Sequence, residues 1–142
     1  MKATELMIGN WVKIKGDYGK PLKITTIDDT YNSINYFDGD AEGELTLQLN
    51  EIEPIPLTNE ILEKSGFIKQ NFDGWEYIHP NDSTFSYIDY RILWRTDYDN
   101  HLFIKKYKGS NIFATLQISR INFVHQLQQA LMFCEIEKEI VL

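Results

Sequence analysis

The run Pro54-Ile55-Pro56-Leu57 constrains the fold of this chain more than any other feature. Two of its four residues lack the N–H that a β-ladder requires, so no central strand passes through it. The patterns on its two sides differ. Before it, Trp11-Val12-Lys13-Ile14-Lys15 alternates apolar and charged side chains with the two-residue period of a half-buried strand. Leu22 to Asp28, Asn32 to Phe37 and Glu44 to Leu49 follow as strands, separated by Asp28-Asp29-Thr30 and by the Asp- and Gly-rich run Asp38 to Gly43. Short strands at this spacing predict a small SH3-like β-barrel over residues 1–57.

After the joint, Thr58 or Asn59 caps a short helix with Glu60 and Glu63 in its first turns, and Gly66 supplies a left-handed C′ residue. Gly74 to His79, Phe85 to Trp94, His101 to Tyr107 and Asn111 to Ile118 read as an antiparallel meander. From Asn122 the period becomes helical, with Phe123, Val124, Leu127, Ala130, Leu131 and Cys134 on one side. The expected fold class is α+β: the barrel, then an α-β-β-β-β-α unit over residues 58–142 whose terminal helix covers one face of its sheet. Val124, Leu127, Leu131 and Cys134 are expected inside, with Gln128 and Gln129 facing outward or bonding locally.

Charge limits the partners. The 142 residues carry a formal net charge of -7, which opposes binding to phosphate backbones. A single cysteine, Cys134, allows no internal disulfide, and the opening residues lack the apolar run of a signal peptide. With no long apolar segment either, a cytoplasmic protein that stays off the membrane is expected.

No nucleophile elbow, phosphate loop, dinucleotide fingerprint or Cys-x-x-Cys pair is present, so no enzyme, metal or cofactor is indicated. The acidic run Asp38 to Gly43 begins like a calcium loop, but the position of its bidentate Glu is Leu49. His79, His101 and His125 fall on three different elements, without the i, i+4 spacing that presents two imidazoles to one zinc ion. His125 and Cys134 share a helix, but nine residues correspond to about 13.5 Å of rise, too far for proton transfer. Asp97 and Asp99 share a strand parity, yet Asn100 beside them favours a turn.

The candidate binding surface is Tyr87, Arg91, Trp94, Arg95, Tyr98, Lys105 and Tyr107, where aromatic faces are interleaved with cations that suit single-stranded nucleic acid. The alternative is that the aromatics form the meander's core while the cations guard its edges.

Glu5-Leu6-Met7-Ile8-Gly9-Asn10-Trp11-Val12, Pro54-Ile55-Pro56-Leu57-Thr58 with Ile61-Leu62 and Gly66-Phe67, and Val124-His125-Gln126-Leu127-Gln128 together resemble an uncharacterised family. Its members are small proteins of Bacteroides-type gut bacteria and their prophages or mobile elements. Residues 71–120 hold no matching string, and the resemblance implies a source, not a biochemical role. Within these strings His125, Gln126 and Gln128 form a second candidate cluster, since packing alone does not require polar side chains there; the other reading is that they bond nearby loop ends. The function expected is a non-enzymatic module that binds another protein, with single-stranded nucleic-acid binding as the alternative.

Overall fold

A computed structural model describes residues 1–16, 20–39, 41–79, 88–108 and 110–142. It is α+β, built mostly of antiparallel sheet with two α-helices. The chain divides into two compact units, Met1–Pro56 with Phe123–Glu135, and Leu57–Asn122 with Ile136–Leu142.

The first unit holds β1 (Trp11–Ile14), β2 (Pro21–Asp28), β3 (Ser33–Phe37), β4 (Glu44–Gln48) and β5 (Ile52–Pro54), in the order β4-β3-β2-β1-β5. All four pairings are antiparallel. Among the described residues the sheet does not close, and β4 and β5 end it on either side. β5 is the strand that sequence patterning misses. It ends at Pro54 on the sheet edge, where a missing N–H is tolerated. Val12, Leu22, Ile24, Ile34, Tyr36, Leu49 and Ile52 form the core.

The C-terminal helix, Val124–Phe133, belongs to this unit. This corrects the division that gave it to residues 58–142 as the cover of the meander. Its main-chain anchors explain the placement: Val124 N donates to Ile55 O at 2.9 Å, and Pro56 and Phe123 form a β-bridge. Val124, Leu127 and Leu131 are buried as the helical period predicts, but Cys134 is only half-buried because it is the C-cap.

The second unit opens with α1 (Asn59–Lys64), capped by Thr58 Oγ1 accepting from Ile61 N at 3.3 Å, with Gly66 at φ +82°. Its sheet is β10-β9-β8-β7-β6, from β6 (Ile68–Lys69), β7 (Gly74–His79), β8 (Ile88–Arg95), β9 (His101–Lys108) and β10 (Asn111–Ile118). The meander therefore has five strands where four were expected, β6 being too short for periodicity to show.

Register divides this sheet into two faces. Trp75, Trp94 and Leu102 are cross-strand partners on one face, as are Ile92 and Ile104, and all five are buried. Their unit also buries Leu62, Phe67, Ile121, Ile136 and Ile140. Trp75 Nε1 donates to Asn59 Oδ1 at 3.1 Å and Trp94 Nε1 to Ile121 O at 3.0 Å, so both indoles are buried with their one polar atom paired.

Candidate functional site

The two-residue period places Ile78, Arg91, Lys105 and Thr115 in one row across the other face, with Glu76, Leu93, Phe103 and Gln117 in the next. Ile78 is 51% exposed and Ile68, opposite Glu76, is 70% exposed. The face is thus an apolar band with cations across it. The Arg91 guanidinium lies over the Tyr107 ring at 4.5 Å, and Arg95 over Phe72 at 4.8 Å. Arg95 also pairs with Asp97, whose carboxyl this hydrogen bond holds below its ordinary range.

Arg91 and Lys105 differ from Arg95. They stand directly opposite each other on neighbouring strands, and among the described side chains, which do not include that of Asp89, no carboxylate pairs with either. Like charges in that position are unfavourable to the sheet, so this feature works against stability.

Of the candidate binding surface, the structure brings Arg91, Arg95, Lys105 and Tyr107 to one face. Trp94 lies on the opposite face, in the core, because its neighbours Leu93 and Arg95 take the open side. Tyr87 lies outside the described residues, as does the side chain of Tyr98, whose backbone forms a short 3-10 turn, Thr96–Tyr98. Leu93 and Ile78 are the face residues that the sequence reading misses, although their alternation with Trp94 and Tyr77 carries the signal.

Asp99 and Asn100 have φ of 49° and 55°, the left-handed conformations of a tight turn. Asp99 accepts from Arg120 Nε at 3.3 Å, so these residues shape the connection between β8 and β9. His79 and His101 pair with Tyr90 and Arg95, five residues apart on β8, which separates them by about 17 Å along the strand at 3.3 to 3.4 Å per residue. They do not share a site. No cluster of three metal-ligating side chains occurs among the described residues, and Asp40 of the acidic loop lies outside them.

The second candidate cluster, in the first unit, is used chiefly by the backbone. Call the C-terminal helix α2. Gln126 Oε1 accepts from Phe123 N at 3.2 Å, supplying a cap at a helix start where Phe123 has no acceptor. Gln128 Oε1 accepts from Trp11 N at 2.9 Å and its Nε2 donates to Gly9 O at 3.3 Å. Gln129 Nε2 donates to Glu5 O at 2.9 Å and to Asn10 Oδ1 at 2.7 Å. Neither glutamine bonds locally. Together they clasp the turn that starts β1, where Gly9 sits at φ +88°.

His125 is 5% exposed and its Nδ1 has no hydrogen-bond partner among the described residues. Its ring stacks on Phe123 with centroids 5.8 Å apart. It borders a cavity of about 310 Å³ with Met1, Glu5, Pro54, Gln126 and Gln129. Burial holds the imidazole below its ordinary pKa of 6.5, against a smaller opposing pull from Glu5. A folded pKa lying below the unfolded one means that the unfolded chain takes up the proton first as pH falls. Stability present above pH 6.5 is therefore lost below it. The urea midpoint of the first unit should fall between about pH 7 and pH 5, a window set by the ordinary histidine pKa, and His125→Phe should flatten that slope. An identical slope in wild type and His125→Phe would assign the effect to other groups.

No helix among the described residues is long and apolar enough to cross a membrane. No protein-family model, curated protein or solved structure matches the chain.

Proposed function

We propose that the chain is a non-enzymatic protein-interaction module whose second unit docks an acidic, aliphatic segment of another protein on the open face of its sheet. The observation that carries this reading is the Arg91–Lys105 pair, two cations set directly opposite each other within an apolar band. A carboxylate bound between them would relieve their repulsion, and Ile78, Leu93 and Phe103 would take apolar side chains of the same segment.

In this reading the first unit is a partly open SH3-like barrel, since its last strand returns to pair with its first. Of the three strings that resemble the family of gut-bacterial and mobile-element proteins, the first and third lie in this unit, while the joint string divides, with Leu57 to Phe67 in the second unit. Within this unit Gly9 and Trp11, Ile55 and Pro56, and Val124 to Gln128 meet through main-chain bonds and the bonds of Gln128. The resemblance is then architectural, and the source a phage or other mobile element.

Affinity capture from a lysate of a Bacteroides-type host should return a specific protein that Arg91→Glu/Lys105→Glu loses. The purified partner should bind the double variant at least about tenfold more weakly, about 1.4 kcal/mol. Recovery of the same proteins by wild type and variant would sink the proposal. The Arg91–Tyr107 stack favours a second reading, single-stranded nucleic acid on the same face. Oligonucleotide binding at about 50 mM salt that collapses as salt rises would select it, since counterion release demands that dependence.

A further inference from the structure

Among the described residues four strands end the two sheets, and three of them are guarded. β4 carries Glu44, β5 has three residues and ends in Pro54, and β6 has two residues. β10 is different. It runs for eight residues, Asn111-Ile-Phe-Ala-Thr-Leu-Gln-Ile118, without one charged residue or proline, in a chain that is 25% charged. It pairs with β9 on one side, and no main-chain hydrogen bond on its other side occurs among the described residues. Asn111, Ile112, Ala114, Thr115 and Gln117 are exposed. A long, uncharged, unpaired edge is the template for adding another strand, and stable monomers avoid it.

We propose that β10 is the seam of a homodimer, in which two copies pair edge to edge, antiparallel, across a two-fold axis at Leu116. The bulge between Ile112 and Ala114 interrupts the ladder, leaving Ala114–Ile118 regular. An axis at Leu116 matches that segment with itself: Leu116 faces its own copy, Thr115 faces Gln117, and Ala114 faces Ile118. The bulge stays outside the seam.

Charge favours a second copy over a foreign segment. An identical edge can face itself only if it brings no like charges together, and this edge meets that condition at every position. The lysines of β9, Lys105, Lys106 and Lys108, would lie three strand spacings from their counterparts, about 14 Å, beyond the roughly 8 Å Debye length at physiological ionic strength. Their repulsion is screened. A strand-edge interface of this length is small, so the dimer should be weak, with Kd between about 1 μM and 1 mM.

Sedimentation equilibrium of the full chain tests it. The weight-average mass should rise from 16.7 kDa towards twice that value with concentration. Thr115→Lys/Gln117→Lys, at two exposed positions, should raise the dimer Kd at least about tenfold by setting like charges opposite each other. Its far-ultraviolet circular dichroism should match the wild type. In a Cys134→Ser background, Leu116→Cys should cross-link across the axis on oxidation, since directly opposed antiparallel residues have Cα atoms about 4.5 to 5.5 Å apart, within disulfide reach. Ala114→Cys should not, because its copies would be about 14 Å apart along the strands. Arg91→Glu/Lys105→Glu should leave the dimer intact, which separates this seam from the docking face.

A single-chain mass up to about 1 mM, the weak end of the expected range, would overturn the proposal. So would a dimer unaffected by the paired lysines, or a monomer that takes up only foreign extended peptides on β10.

Discussion

Trp94→Ala should remove about 3 to 5 kcal/mol from the second unit, the range for a buried tryptophan truncated to alanine. The side chain is 5% exposed and faces Trp75 and Leu102 across the strands. Its loss leaves a large cavity, and Ile121 O, on a residue only 4% exposed, loses the indole N–H that it accepts. A buried carbonyl left without a donor adds to the cost. Against a domain stability of about 5 to 15 kcal/mol, this is a third or more of the total in most cases. Urea unfolding followed by tryptophan fluorescence with Trp11 replaced by Phe in both proteins, so that the second unit supplies the signal, should show the midpoint fall sharply. Arg91→Ala, on the exposed face, should change it by no more than about 0.5 kcal/mol. If the two variants behaved alike, the faces of the sheet would be interchanged.

The contrast between Trp94 and Arg91 shows what sequence reading can and cannot reach in this chain. Strand positions were legible because alternation and turn residues are local: Gly74–His79 and Asn111–Ile118 have the bounds that composition alone suggests. The helix at Thr58 was legible for the same reason, since its cap and Gly66 lie within nine residues. Which face of β8 is buried depends on what packs beneath it. Leu93 and Trp94 are both apolar, so periodicity by itself does not choose between them. β5 and β6 were hidden because two or three residues carry no period. The grouping of α2 with the first sheet was not legible at all. It rests on contacts such as Gln128 to Trp11, 117 positions apart, and no local pattern encodes those.

That grouping gives α2 an energetic signature of its own. Leu127 is fully buried, and Leu127→Ala should cost about 2 to 5 kcal/mol through lost transfer energy and the residual cavity. Gln128 has a different role. Truncating it to alanine leaves Trp11 N and Gly9 O without their protein partners, where β1 begins. A hydrogen bond contributes about 0.5 to 1.5 kcal/mol net, so Gln128→Ala, which removes two, should cost about 1 to 3 kcal/mol. This exceeds what an outward-facing glutamine would show, for surface substitutions stay within about 0.5 kcal/mol. The two losses also differ in kind. Leu127→Ala should loosen the whole helix, whereas Gln128→Ala should raise amide exchange first at Trp11, whose N–H donates to the lost side chain. If exchange at Trp11 stayed at the wild-type rate while Gln128→Ala left the midpoint unchanged, the glutamine clasp would contribute nothing. Apolar packing of Val124, Leu127 and Leu131 would then be what holds the helix in the first unit.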